Sequence, residues 1–92
     1  MGGQEARCIA VVRVRHRASQ DILRAIEADN VVAPPWLSID CRDLGELLEC
    51  IVEVDCSTPS RILSLRNTLD ELLRAIRVAV ETIEGLESVK KA

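Results

Sequence analysis

Residues 58–84 carry the longest regular apolar pattern in the chain, and any fold must bury it. Ile62, Leu65, Leu69, Leu72, Ile76, Ala79 and Ile83 recur in steps of three and four, the spacing that puts side chains on one face of an α-helix. Leu73 and Val80 widen this stripe along one flank, and Ser64, Thr68, Ala75 and Thr82 line the other with small side chains. The ends are marked as well. Thr58 suits the N-cap, Pro59 the first helical position and Gly85 the left-handed residue beyond the last turn, so the predicted helix covers 58–84. Arg66, Asp70 and Arg74 lie four apart, as do Arg77 and Glu81, which offers charge pairing on the solvent side.

One such helix cannot bury its own stripe, so the rest of the chain must supply a second layer. Residues 6–16 alternate as a strand, with Cys8, Ala10, Val12 and Val14 on one face and Arg7, Ile9, Val11, Arg13 and Arg15 on the other. Ser19 is the expected cap of a short helix over 20–28, whose Ile22, Leu23 and Ile26 face inward, and Asp29 and Asn30 end it. Pro34 and Pro35 make 31–36 an extended connector. Residues 37–56 predict a hairpin around Gly45-Glu46, read as a type II′ turn. That register sets Asp43 against Leu48, Arg42 against Glu49, Cys41 against Cys50, Ile39 against Val52 and Leu37 against Val54, with every apolar member on one face.

The expected fold is therefore α+β, in the order β-α-β-β-α. Its three-stranded antiparallel sheet takes the order 1-3-2, because a third strand antiparallel to both others must lie between them. Both helices cover the face of Val12, Val14, Ile39, Val52 and Val54. Ile9, Val11 and Ile51 are left on the open face, a patch that suggests pairing with a second copy. With 92 residues the chain is read as one domain, with loosely packed ends at 1–5 and 86–92.

Composition limits the function classes. A net charge of -3 argues against a general nucleic-acid binder, and Trp36 as sole aromatic leaves little for base stacking. No apolar run approaches the roughly 20 residues of a membrane span, and no signal-type segment opens the chain, so the expected location is the cytoplasm. The glycines form no phosphate-cradling loop. His16 lacks an obvious nucleophile or orienting acid nearby in sequence, and Asp40, Asp43, Glu49, Glu53 and Asp55 are read as solvated hairpin carboxylates. Neither a catalytic group nor a cofactor is expected.

Four cysteines with no C-x-x-C and one histidine argue against a metal site. Reduced core thiols and disulfides both remain open. Cys41 opposes Cys50 within disulfide reach, and Cys8 can meet Cys56 if the first strand pairs along the third. Arg7, Arg13, Arg15 and Arg17 form a basic cluster for which two readings stand. Pairing with Glu49 and Glu53 on the same face is the simpler one, and contact with RNA phosphates in a KH-like module is the alternative, although the G-x-x-G clamp of that class is missing.

Three stretches, SLRNTLDELLRAIRVAVETIE, LSIDCRDLGELLECIVEV and ILRAIEADNVVAPP, together resemble the small Pcc-type subunit of the KEOPS complex in its short archaeal form. The likeness runs from about Cys8 to Glu84 and is most specific at Leu65-Arg66 followed by Thr68, Leu69, Leu73, Arg74 and Ile76. The chain departs from the family pattern at Asp70, where Asn is common, at Leu72, where an aromatic is usual, and in a longer segment over 57–62. The resemblance implies a non-catalytic homodimer that docks the catalytic threonylcarbamoyltransferase subunit, in support of threonylcarbamoyladenosine synthesis on tRNA. Contact with tRNA itself would be indirect or weak. The partner contacts so implied fall on Arg66, Leu69, Leu73, Arg74 and Arg77, with Val80 beside them at the stripe edge.

Overall fold

The computed structural model describes residues 6–28 and 34–91, and within its last helix the side chains through Glu87. The elements are β1 (Arg7–Arg15), α1 (Ser19–Ala28), β2 (Leu37–Asp43), β3 (Leu47–Asp55) and α2 (Pro59–Lys91). The sheet order is β1-β3-β2, with β3 antiparallel to both neighbours, so the expected α+β topology is the observed one. The hairpin register is also as expected, from Leu37 opposite Val54 to Asp43 opposite Leu48.

Alternation in β3 decides where the core lies. Leu48, Cys50, Val52 and Val54 are buried while their neighbours are half-buried, because successive side chains leave the strand on opposite faces. Ile22 and Ile26 of α1 and Leu72, Ile76 and Ala79 of α2 close over that face. Two disulfides cross the same sheet, joining Cys8 to Cys56 and Cys41 to Cys50. Of the two readings open for the thiols, the oxidised one is formed, on both expected pairings.

Five local expectations are corrected. First, α2 does not stop at Gly85 but continues to Lys91; the positive-φ glycine in the described backbone is Gly45, so Gly85 keeps helical geometry. Thr58 and Pro59 do mark the start, since the amides of Arg61 and Ile62 donate to the Thr58 carbonyl. Second, Ile62 is 51% exposed. A seven-residue repeat drifts by about 20° per heptad on a helix of 3.6 residues per turn, which rotates the first member of the stripe out of the core. Third, Ser19 does not act as the side-chain cap. The Ala18 carbonyl accepts the first helical bond, from Ile22 N–H, and the buried Ser19 hydroxyl donates to Asp43 at 2.6 Å, fastening α1 to the hairpin. Fourth, the connector before β2 turns rather than extends: Leu37 N–H donates to the Pro34 carbonyl across Pro35 and Trp36, with proline at the turn position its fixed φ favours. The expectations for residues 1–5 and 29–33 lie outside the described residues.

The fifth correction concerns the hairpin turn. Gly45 has φ 83° and Glu46 φ 57°, and two positive values define type I′, not II′. Both primed turns suit the right-handed twist of the flanking strands, and in the one formed the Glu46 side chain bears the cost of the left-handed region. Glu46→Gly is expected to raise stability by up to about 1 kcal/mol, measured as a higher denaturant midpoint at unchanged slope.

Candidate interaction surfaces

The open face of the sheet carries an apolar strip inside a frame of charges. Val11 stands opposite Ile51, and Ile9 opposite Glu53. Ile9 is 62% and Val11 47% exposed, and Ile51 is half-buried. All three expected residues are therefore brought together, on neighbouring strands of one face. Arg7 and Glu53 bridge at 2.6 Å on one side of the strip, and Arg13 and Glu49 at 3.0 Å on the other.

Those ion pairs bear on the basic cluster. Arg7 and Arg13 each meet a carboxylate of β3, and Arg17 meets Glu87 of α2; Arg15 makes no ion pair among the described residues. Paired arginines present a weaker field to a phosphate backbone than free ones. Arg42 faces Glu49 in register yet bridges to Asp40 at 3.1 Å, because Glu49 is taken by Arg13 from the other side. The choice among arginines depends on which strand lies beside β3, and pairing along the hairpin alone misses it.

On the helical side, α2 presents a second surface. Leu73 is 49% exposed, Val80 and Leu69 are half-buried, and Arg66, Arg74 and Arg77 reach solvent. An open concavity of about 430 Å³ lies between Asp70, Leu73, Arg74 and Arg77. The residues assigned to partner binding thus share one margin of the helix, next to the buried stripe of Leu72, Ile76 and Ala79. Leu63 and Val78 are exposed elsewhere on the same helix and belong to no expected site.

Two clusters escaped the sequence reading. At the N-terminal end of α2, Arg61 bridges to Asp55 at 2.5 Å and its guanidinium lies 5.3 Å from the centre of the Trp36 ring. The Ser57 hydroxyl and amide hold the Asp55 carboxyl below the usual aspartate range, with Arg61 and Arg7 adding to the effect. A depression of about 210 Å³ beside Trp36 is bordered by Arg7, Ser38, Glu53 and Asp55. The available signal was Arg61 in the first turn of a helix, close in sequence to Asp55. At the other end of α2, the His16 Nε2 stands 3.6 Å from Glu84, and Nδ1 accepts the Ala18 N–H at 3.0 Å. With Nδ1 engaged by the backbone, Nε2 is the ring nitrogen turned toward Glu84. His16 and Arg17 thereby tie the β1–α1 turn to the far end of α2, a structural employment for the chain's one histidine.

Among the described residues, no group of three or more His, Cys, Asp or Glu side chains is placed to hold a metal ion, and no helix is long and apolar enough to cross a membrane. No known family model matches the chain, and no curated protein matches it.

Proposed function

We propose that this chain is a non-catalytic dimerisation and assembly subunit of the Pcc type, acting within a KEOPS complex to dock the catalytic threonylcarbamoyltransferase. The observation that carries the reading is a pair of apolar surfaces left uncovered on opposite sides of one small domain. Ile9, Val11 and Ile51 on the open sheet face meet a second copy. Arg66, Leu69, Leu73, Arg74, Arg77 and Val80 on the margin of α2 meet helices of the transferase. Small domains rarely leave such patches without a partner to cover them. The resemblance in the residues from Cys8 to Glu84 names the complex, and tRNA is reached through the other subunits. The proposed location is the cytoplasm, where lasting disulfides are a feature of hyperthermophiles.

Val11→Arg places a charge at the centre of the sheet-face strip. By light scattering of the pure protein its assembly mass is expected to fall by half, while Leu73→Asp is expected to abolish co-purification with the transferase subunit. An unchanged mass for Val11→Arg, together with retained transferase binding by Leu73→Asp, would overturn the reading.

A further inference from the structure

The margin of α2 has a charge order that is complementary to itself. Arg66 and Glu81 are equidistant from the midpoint between Leu73 and Arg74, and so are Asp70 and Arg77. When two identical helices pack antiparallel about a two-fold axis at that midpoint, each residue faces the one equally far on the other side. Arg66 then meets Glu81 of a second copy, and Asp70 meets Arg77. Both contacts occur twice, because an isologous interface repeats every pair.

Azimuth agrees with this register. At about 100° per residue, Arg66, Asp70, Arg77 and Glu81 fall on one side of a line through Leu73 and Val80, the solvent side, while the core stripe lies on the other. An apolar seam would run along the helix with its charges on one flank, the layout of paired helices in bundles. The charges are also available. Arg66 and Asp70 make no ion pair among the described residues, and Arg77 and Glu81, at 3.6 Å within the helix, stay 81% and 71% exposed. Leu73, 49% exposed, would lie beside the axis, one residue step out of register with its own copy.

We infer that α2 pairs antiparallel with the α2 of a second copy through this margin. The inference goes beyond the proposed function, since it uses a face distinct from the sheet strip. With both interfaces in use, the chain assembles as pairs of pairs. The transferase and the second copy then compete for Leu73, so docking would release the helix pair.

Charge exchange on the full chain tests the inference, read by light scattering across a concentration series. Arg66→Glu replaces two attractions by two repulsions, and is expected to weaken the helix pairing by about tenfold or more and to halve the assembly mass. The double variant Arg66→Glu with Glu81→Arg is expected to restore it. Asp70→Arg and its rescue by Arg77→Asp form an independent second cycle, and circular dichroism checks that each variant is folded. Combination of Arg66→Glu with Val11→Arg is expected to give single chains. An unchanged mass in Arg66→Glu and Asp70→Arg, or loss that neither exchange repairs, would overturn helix pairing. Failure of the sheet-face reading is separate, because it appears in Val11→Arg alone.

Discussion

Replacing Cys8 and Cys56 by alanine is expected to lower the folding free energy by about 4 kcal/mol, and replacing Cys41 and Cys50 by about 3 kcal/mol. The difference follows from loop length. The first bond closes a sequence separation of 48, the second one of only 9, and the unfolded chain gains more freedom when a longer loop opens. The inner loop lies within the outer one, so each bond shortens the loop the other closes, and removal of both pairs is expected to cost slightly more than the two effects added. Cys50 is fully buried, which adds a packing loss to the hairpin pair. Urea unfolding of the oxidised wild type and both double variants measures the effects. A hairpin variant that loses more than the Cys8/Cys56 variant would show that packing around Cys50 outweighs chain entropy. Equal stability of all three would sink the prediction.

Leu72→Ala and Leu73→Ala, one residue apart, are expected to differ severalfold. Leu72 is fully buried between the sheet and α1, whereas Leu73 is 49% exposed. Truncation at Leu72 removes buried apolar area and leaves a cavity that the disulfide-linked sheet cannot easily collapse into, a loss of about 2–5 kcal/mol. At Leu73, measured at a concentration low enough to dissociate the helix pair, the change is expected to stay within about 0.5 kcal/mol of wild type. At this chain length the Leu72 variant should melt roughly 10 °C or more below the parent. Comparable melting temperatures for the two variants would mean that α2 packs by a different face.

The contrast between these neighbours marks how far the sequence was legible. The three-four alternation singled out Leu72, Ile76 and Ala79 for the core and set Leu73 at its edge, since a helix turns by a fixed angle per residue. The same regularity misled at Ile62, where a strict heptad drifts against the true helical period. Strand order and hairpin register were readable because side chains alternate with period two, so only one register placed Leu48, Cys50, Val52 and Val54 on the same face as Leu37, Ile39 and Cys41. That register also set Cys41 against Cys50, while the strand order was what let Cys8 reach Cys56. Turn type was less legible. Gly45 satisfied II′ and I′ alike, both fit the strand twist, and a glutamate at position 46 gives no sign of the positive φ it takes.

Of the candidate surfaces, the Ile9, Val11 and Ile51 strip followed from alternation alone, and the margin of α2 from its azimuth. The ion pairs around them did not. Arg13 was open to either Glu49 or Glu53, and Arg42 looked equally suited to Glu49; the sheet gave Glu49 to Arg13 and Arg42 to Asp40.

What local order dictates in this chain is the succession of strands and helices, the faces they bury and the residues that oppose each other in the hairpin. These are set by backbone geometry over a few residues, so a short window of sequence carries them. Tertiary structure decided the rest: that Arg17 reaches Glu87, that Ser19 bonds Asp43 instead of capping α1, and that Arg61 packs between Asp55 and Trp36. Partner choice of that kind depends on which distant elements arrive side by side. Several carboxylates of equal chemistry compete for each donor, and only their positions in space separate them.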